Sequence, residues 1–277
     1  MKKGLTLFVL VILLAGIVSA CQPQAAAPQA TTPPEPAAPA SKLDAIKTAG
    51  KIKVGTSADY PPYESVDSAG AYVGFDIELM AAIAEGMGVQ LEWVDMPFDS
   101  LIAAVQENKI DLSISCFNYS EERDQQVDFS EAYYTSEDAF VVGKDFTGTI
   151  AKPEDVVAYK VGVQSGTVQD DWLTTNLVDT GLLKAENLSR YERVDQAALD
   201  LQAGRVDVLM ADYVPANALV KQFEGFNIVL KAVLSTGPLN IVLPEGDAVL
   251  KAEVDKQIAA LQASGKITEL AEKYFSE

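Results

Sequence analysis

A basic side chain stands at the start of a helix in the segment 118–123, which reads Asn-Tyr-Ser-Glu-Glu-Arg. Ser120 followed by glutamates is typical of a helix N-cap, which places Arg123 in the first helical turn. A guanidinium donates two parallel hydrogen bonds to a carboxylate, and a helix N-terminus offers further free N–H groups to an anion. Arg123 is therefore a candidate for binding a carboxylate, although for this segment alone an ordinary ion pair with neighbouring acids on an exposed helix is the favoured interpretation.

Two further polar residues stand at the ends of predicted elements. Thr167 follows the polar segment 164–166 and opens another helix, where its N–H and hydroxyl could also hold a carboxylate. Asp212 follows the apolar strand 206–210, and ligands of open α/β sheets bind beside the carboxyl ends of strands. Both residues have a plainer interpretation, Thr167 as a helix cap and Asp212 as a loop or capping residue.

The composition removes most other chemistry. The 277 residues include no histidine and only two cysteines, so histidine-based triads, histidine–zinc sites and thiolate metal cages are unavailable. We predict no catalytic residue, no metal and no cofactor. With 40 acidic against 21 basic residues the formal net charge is −19, which repels phosphate backbones and argues against nucleic-acid binding.

The N-terminal segment has the pattern of a targeting signal followed by a tether. Lys2 and Lys3 precede the apolar run 5–20, which is typical of a secretory signal peptide and short for a spanning helix. Small residues lead into Cys21, as in the bacterial lipobox, which this segment resembles and in which the cysteine becomes the lipidated N-terminus. We predict a lipoprotein signal peptide over 1–20, with an uncleaved membrane anchor as the alternative. Residues 21–41, rich in proline and alanine, predict a semi-extended tether.

The remaining chain alternates short apolar strands with helical patterns, which predicts parallel or mixed sheets. One unit occurs twice, because Lys-Val-Gly recurs at 53–55 and 160–162, and the helix–turn–strand pattern of 105–112 recurs at 201–208. Chance similarity between two α/β segments is the alternative. Strands are predicted at 51–56, 89–94, 110–115, 159–163, 188–191, 206–210 and 237–243, and helices at 74–87, 98–107, 168–177, 195–203 and 248–275.

An ordered set of motifs resembles the bacterial extracellular solute-binding proteins of polar amino-acid ABC transporters, over about residues 43–276. No single motif is decisive, but their order is specific. The motifs are Gly-Thr-Ser-Ala-Asp-Tyr-Pro-Pro-Tyr-Glu (55–64), Tyr-Val-Gly-Phe-Asp-Ile-Glu-Leu (72–79), Phe-Asp-Ser-Leu-Ile (98–102), Lys-Ile-Asp-Leu-Ser-Ile-Ser (109–115), Glu-Glu-Arg-Asp-Gln-Gln-Val-Asp-Phe-Ser (121–130), Val-Gly-Val-Gln-Ser-Gly-Thr (161–167) and Val-Asp-Val-Leu-Met-Ala-Asp (206–212).

The resemblance implies an α/β fold of the periplasmic-binding-protein-like II type. Each of two lobes would have a central mixed sheet flanked by helices, and two hinge crossovers near 137–143 and 232–238 would join them. Lobe 1 would comprise residues 42–138 and 236–277, and lobe 2 residues 139–235.

The resemblance also implies a cleft with one group for each part of a free amino acid. Arg123 would bind the α-carboxylate, with help from Thr167, and Asp212 would bind the α-ammonium. Tyr60 and Phe98 resemble the aromatic walls around the ligand side chain, although either could belong to the core. The predicted ligand-binding residues are Tyr60, Phe98, Ser115, Cys116, Asn118, Arg123, Gln164, Thr167 and Asp212.

Two of these residues depart from the pattern of the family. Cys116 stands where the family commonly has glycine, and Asn118 stands where it has threonine or serine, which puts the usual contacts of this loop in doubt. A buried free cysteine is most often a small apolar filler. Tyr63 resembles an aromatic of the binding loop, but core packing explains it equally well.

The sequence therefore predicts a lipid-anchored substrate-binding protein that captures a polar amino acid and delivers it to an ABC transporter permease. Its partners would be a free L-amino acid and the permease. It would be a monomer that touches the membrane only through the lipid on Cys21, at the extracytoplasmic face of the cell envelope.

Two alternatives stay open. An enzyme resembling cyclohexadienyl dehydratase would need a positioned proton donor or acceptor, and only carboxylates such as Asp59, Glu64 and Asp212 are available. A ligand-sensing partner of a signalling receptor is the other.

The sequence gives differing indications of the ligand's side chain. Ser57 stands where receptors for basic amino acids often carry aspartate, although Asp59 could restore some preference for a cation. Gln164, Gln169 and Asn118 favour a glutamine-like side chain.

Overall fold

The computed structural model describes residues 41–235 and 237–276. The predicted signal peptide, Cys21 and all but the last residue of the predicted tether lie outside this range. Within the described part of the chain, no helix is both long and apolar enough to cross a membrane.

The strands occur where the apolar patterns predict them, with additional short strands between. Of the predicted strands, those at 51–56 and 188–191 are observed with the same bounds, and the others shift by one to three residues. The strands are β1 (Lys51–Thr56), β2 (Asp59–Tyr60), β3 (Glu64–Val66), β4 (Tyr72–Val73), β5 (Gln90–Asp95), β6 (Leu112–Asn118), β7 (Asp128–Phe129), β8 (Tyr134–Thr135), β9 (Asp138–Val142), β10 (Val161–Gln164), β11 (Leu188–Tyr191), β12 (Val208–Asp212), β13 (Asn227–Ala232) and β14 (Pro238–Leu243).

Two mixed sheets organise the described residues. The first has the order β5-β1-β6-β14-β7, with β8 also paired to β14, and the second has the order β11-β10-β12-β9-β13. In each sheet the first three strands are parallel, and the strand beyond them is antiparallel. The order β5-β1-β6 in one sheet matches β11-β10-β12 in the other, so the sequence repeat corresponds to a repeat of structure.

Helices cover both faces of each sheet because each buries an apolar side against the strands. Helices α1, α2, α8 and α9 pack together on one face of the first sheet, and α3 packs on the other. The helices are α1 (Lys42–Ala49), α2 (Phe75–Met87), α3 (Leu101–Gln106), α4 (Glu121–Asp124), α5 (Val168–Leu173), α6 (Val194–Gln202), α7 (Tyr213–Gln222), α8 (Ala248–Ala263) and α9 (Lys266–Phe275).

The C-terminal helical segment differs from its predicted form. The pattern predicts one helix over 248–275, but α8 ends at Ala263 and α9 begins at Lys266. Gly265 adopts φ +79°, a left-handed conformation that glycine reaches without a side-chain clash. The turn lets both helices pack against α2.

The chain passes from the first sheet to the second after β8 and returns between β13 and β14. Asp138, the first residue of β9, is buried and accepts hydrogen bonds from the backbone N–H groups of Leu234 and Ser235 at 2.9 and 3.0 Å. These hydrogen bonds hold the two passages side by side, so the two sheets are joined by neighbouring backbone segments.

Candidate functional site

A small cavity lies where the carboxyl ends of parallel strands from both sheets face each other. Residues after β1 and on β6 line it from the first sheet, and residues of β10, α5 and β12 line it from the second. The cavity has a volume of about 10 Å³, close to the least that holds one water molecule. The lining residues are Ser57, Tyr60, Glu64, Phe98, Ser115, Cys116, Asn118, Arg123, Gln164, Thr167, Val168, Gln169 and Asp212.

All nine residues that the sequence predicts for a binding site lie in this lining. Their role as ligand contacts stays a prediction. Ser57, Glu64, Val168 and Gln169 join them. Tyr63 does not, since it is fully buried and packs on Phe75 and Phe275, with ring centroids 6.0 and 4.9 Å away.

The side chain of Arg123 is fixed by α4 and by the opposite sheet. Ser120 is the N-cap of α4 and accepts a hydrogen bond from the backbone N–H of Arg123 at 3.2 Å, as the sequence predicts. The guanidinium donates from Nη1 to the carbonyl of Asn118 and from Nη2 to the carbonyl of Gly166, each at 2.8 Å. Gly166 follows β10 of the second sheet, so Arg123 bridges the two lobes.

Two aromatic rings lie beside this guanidinium. The centroids of Phe98 and Phe117 lie 5.6 and 5.7 Å from Cζ of Arg123, within range of a cation–π interaction. The two rings stack on each other with centroids 4.5 Å apart. The rings and the helix cap together hold the charged group in one position.

The charge of Arg123 has no carboxylate in contact with it among residues 41–235 and 237–276. The residue is 5% exposed, and the ion pairs found in this part of the chain do not include it. Burial lowers the pKa of Arg123, and the charges of Asp171 and Asp212 partly oppose this. Because a guanidinium stays charged in proteins, the cavity wall contains a buried cation whose hydrogen bonds within the described part of the chain go to carbonyl groups.

Asp212 supplies the opposite charge from the end of β12. Its carboxylate accepts hydrogen bonds from Tyr60 Oη at 2.8 Å, Ser136 Oγ at 2.6 Å and Gln169 Nε2 at 3.1 Å. Its own backbone N–H donates to Tyr60 Oη at 2.8 Å. Burial raises the pKa of Asp212 to about 6, and the hydrogen bonds from Ser136 and Tyr60 oppose that rise. A cation beside this carboxylate would favour its ionised form.

A second pair of carboxyl groups lies against the cavity floor. Glu64 and Asp76 are 1% and 0% exposed, and burial together with the charge of Asp76 raises the pKa of Glu64. Glu64 Oε2 and Asp76 Oδ1 have no hydrogen-bond partner in the described residues. Two ionised carboxylates buried together would repel each other, so we expect the pair to hold a proton. Burial raises the pKa of both groups, which favours this protonated form at neutral pH.

The other oxygens of this pair fix the cavity floor. Ser115 Oγ donates to Glu64 at 2.8 Å, while Asp76 Oδ2 accepts from the backbone N–H of Cys116 at 2.7 Å and from Tyr133 Oη at 2.9 Å. Cys116 adopts φ +50°, in the left-handed region where a side chain is strained. The contact to Asp76 holds this backbone in place, and the buried thiol fills space beside the cavity.

Replacing Asp76 with asparagine tests the shared proton. The folded state keeps a proton that the unfolded chain releases above about pH 4, so the free energy of unfolding should fall as the pH rises towards 8. Asp76→Asn removes the like charge beside Glu64, so the pH slope should be smaller and the variant should be about 2 kcal/mol more stable than the parent at pH 8. Urea denaturation between pH 5 and 8 measures this. The exposed Asp179→Asn is the control, and an unchanged pH slope in Asp76→Asn would exclude a shared proton.

Polar groups of Thr167, Asn118 and Gln164 already have protein partners. The Thr167 hydroxyl accepts from the N–H of Asp170 and donates to the carbonyl of Gln164, at 3.2 and 2.8 Å, so it acts as a helix cap here. Asn118 Nδ2 donates to Ser136 Oγ at 3.2 Å, and Gln164 Nε2 donates to Asp59 at 3.3 Å. The last contact joins the two lobes.

Sequence reasoning did not place Ser136 and Asp76 in the site, and it named Gln169 only as suited to an amide side chain of the ligand. Ser136 precedes the first crossover, and Gln169 is the second residue of α5, so neither follows a strand as Asp212 does. Asp76 opens α2 and reads as an ordinary first-turn acid. The sequence indicated Glu64 only as a carboxylate next to the Pro-Pro loop that an enzyme could use.

Residues 52–277 match the family of bacterial extracellular solute-binding proteins, family 3. The chain therefore belongs to this family. Its two sheets and crossovers form the two-lobe fold of periplasmic amino-acid-binding proteins, as the resemblance implies.

Named relatives are binding proteins for amino acids. An L-arginine-binding protein of Pseudomonas aeruginosa is 31% identical over 237 residues, covering 81% of this chain and 88% of its own. An ancestral arginine-binding protein, solved with arginine and with glutamine, superposes with TM-scores of 0.76 and 0.75 at 34% and 35% identity. Both matches cover 82% of this chain and 99% of the ancestral protein. An ancestral amino acid-binding protein described as a precursor of cyclohexadienyl dehydratase has a TM-score of 0.74 at 31% identity, covering 86% of this chain and 100% of its own.

Proposed function

We propose that this protein captures a free amino acid in the cleft between its lobes, with Arg123 on the α-carboxylate and Asp212 on the α-ammonium. The observation that supports this most is the buried guanidinium of Arg123, which has no carboxylate in contact within the described residues. An unpaired buried charge is costly, and a carboxylate with two oxygens fits the guanidinium fork.

The separation of the two charges suits a zwitterion. Arg123 and Asp212 line the same cavity from different sheets without forming an ion pair. A free amino acid carries a carboxylate and an ammonium on one carbon, so it can satisfy both groups at once. Tyr60 and Phe98 would then border its side chain with apolar rings.

Binding would require the cleft to open. A cavity of about 10 Å³ is far smaller than the roughly 300 Å³ at the lower end of drug-sized pockets. The bonds from Tyr60 to Asp212 and from Arg123 to Gly166 join the lobes directly, and ligand atoms would replace part of them. We propose the passages between the sheets as the hinge, with lobe 1 as 42–138 and 236–277 and lobe 2 as 139–235.

The ligand would be polar, with N–H donors at the end of its side chain. After Arg123 and Asp212 are matched to the α-groups, Glu64 is a further acid in the lining. Arginine or glutamine could donate to it, and an ancestral relative was solved with either one. We propose arginine before glutamine because a cationic side chain beside Glu64 would favour the ionised form of that acid and because relatives bind arginine. This revises the glutamine-like preference drawn from the sequence.

The N-terminal segment determines the setting of this activity. We propose that Cys21 is lipidated after removal of residues 1–20 and that the tether over 21–41 holds the folded part near the extracytoplasmic membrane face. The closed, loaded monomer would then deliver its amino acid to an ABC transporter permease.

A thermal-shift panel of the twenty amino acids tests the binding proposal. At a hundredfold excess over Kd a ligand adds about 2.7 kcal/mol of stability, a rise of roughly 5–10 °C for a chain of this size. We expect L-arginine to raise the melting temperature, while L-argininamide and Nα-acetyl-L-arginine, which lack one α-charge each, should not. If the two blocked analogues raised the melting temperature as much as L-arginine does, the assigned roles of Arg123 and Asp212 would be contradicted.

An enzyme on the same fold is the second candidate. Two features favour it: the precursor of cyclohexadienyl dehydratase among the structural neighbours, and the buried carboxyl groups of Glu64 and Asp76, whose pKa values are raised by burial. Turnover of prephenate or arogenate by the full chain would support it. Saturable amino-acid binding without turnover would support the receptor.

A further inference from the structure

A second set of contacts joins the lobes outside the cavity. Arg193, immediately before α6 in the second lobe, donates to Asp95 at the end of β5 in the first. Nη1 and Nη2 reach the two oxygens of Asp95 at 2.9 and 3.2 Å, a paired fork of hydrogen bonds. Nη1 also lies 3.5 Å from Asp59, another first-lobe acid. None of these three residues lines the cavity.

Asp59 also caps the helix that Arg193 precedes. Its Oδ2 accepts a hydrogen bond from the backbone N–H of Val194, the first residue of α6, at 2.6 Å. Position 193, where the cap would normally stand, provides no capping side chain. The free N–H groups of a helix start need an acceptor, and for α6 that acceptor comes from the opposite lobe. Opening the cleft would separate the two.

These contacts are partly protected from water. The side chain of Asp59 is 5% exposed, that of Arg193 22% and that of Asp95 31%. Screening by solvent is therefore weaker than for surface pairs such as Lys184 with Glu186, both 77% exposed. Partly buried, charge-assisted hydrogen bonds of this kind can contribute a measurable free energy that stabilises the closed cleft.

We propose that Asp95, Arg193 and Asp59 form a clasp that holds the cleft closed and slows the release of a bound amino acid. Arg193 would be a positioning residue that acts on closure without touching the ligand. The effect on release rests on the proposed function, whereas the capping of α6 does not. The clasp should act on dissociation, because closure follows the encounter with the ligand.

The test compares Arg193→Met with Arg205→Met in the full-length chain. Arg205 also lies in the second lobe and pairs with Asp200 of that same lobe, so its loss removes an equal charge without crossing the cleft. Stopped-flow measurements with L-arginine should show about tenfold faster dissociation for Arg193→Met, roughly 1.4 kcal/mol. Association should change by less than about twofold, and Arg205→Met should match the parent.

A second readout needs no ligand. Hydrogen exchange at the Val194 amide should be faster in Arg193→Met and in Asp95→Asn than in the parent, because both loosen the cap from Asp59. In the double variant the two effects should not add, since both substitutions remove the same contact between Arg193 and Asp95.

Equal dissociation rates and equal Val194 exchange in the parent and Arg193→Met would overturn the clasp. If no amino acid binds the parent, the proposed function fails, while the Val194 exchange still decides the clasp. Melting temperatures of Arg193→Met and Arg205→Met identify a folding defect. If Arg193→Met has one, the dissociation rate and the Val194 exchange of Asp95→Asn decide the proposal.

Discussion

Replacing Arg123 with methionine is expected to abolish measurable amino-acid binding. Methionine keeps apolar bulk beside the stacked rings of Phe98 and Phe117, but it removes the buried cation. Truncating one partner of a buried charge pair costs roughly 2–5 kcal/mol, which corresponds to a rise in Kd of about 30- to 3,000-fold. Isothermal titration calorimetry with L-arginine and L-glutamine measures this loss.

The stability of this variant separates a lost contact from a lost fold. Because Arg123 is a buried charge whose side chain donates only to carbonyl groups in the described residues, its removal should not lower the melting temperature without amino acid by more than a few degrees. Arg205→Met serves as the charge-matched control and should bind normally. Unchanged affinity of Arg123→Met would contradict the assignment of the α-carboxylate.

Gly166→Ala is expected to weaken binding by preventing full closure. Gly166 adopts φ +72°, and a Cβ there would lie 2.9 Å from Cβ and 3.2 Å from Cα of Asp99, across the cleft. Real Cβ atoms do not approach other atoms this closely, and the backbone of Asp99 cannot move aside like a flexible side chain. We expect Kd to rise about tenfold or more, since even 1.4 kcal/mol against the closed form has that effect.

Gly181→Ala is the matched control. Gly181 lies in the same lobe with φ +75°, but a Cβ there meets no atom within 4 Å. Both variants should lose about 1 kcal/mol of stability from the left-handed backbone, and only Gly166→Ala should lose affinity. Small-angle scattering with saturating L-arginine should show Gly166→Ala more extended than the parent. Equal affinity of the two variants would show that contact at Gly166 does not limit closure.

The parts of the fold that repeat a local pattern could be predicted from the sequence. The strands β1, β6 and β12 carry apolar runs that end in polar loops, and this pattern locates the residues that face the cleft. The helix caps at Ser120 and Thr167 follow from residue type and position alone. The order of motifs then linked Arg123 and Asp212, which lie far apart in sequence.

What could not be predicted depends on contacts between distant residues. Strands β9 and β13 were not recognised from the sequence. Both are defined by antiparallel pairing with segments far along the chain, β9 with β12 and β13, and β13 with β9. The burial of Glu64 together with Asp76 and the capping of α6 by Asp59 both bring together residues from different elements. No spacing along one segment encodes such pairs, since they arise only when the lobes fold and close.

Calorimetric titration of the full-length chain with L-arginine tests the central proposal most directly. We predict saturable binding of one amino acid per chain, lost in Arg123→Met and retained in Arg205→Met. L-argininamide and Nα-acetyl-L-arginine should give no binding. If none of the twenty amino acids produces heat with the parent chain, or if Arg123→Met binds as the parent does, the cleft is not the amino-acid site proposed here.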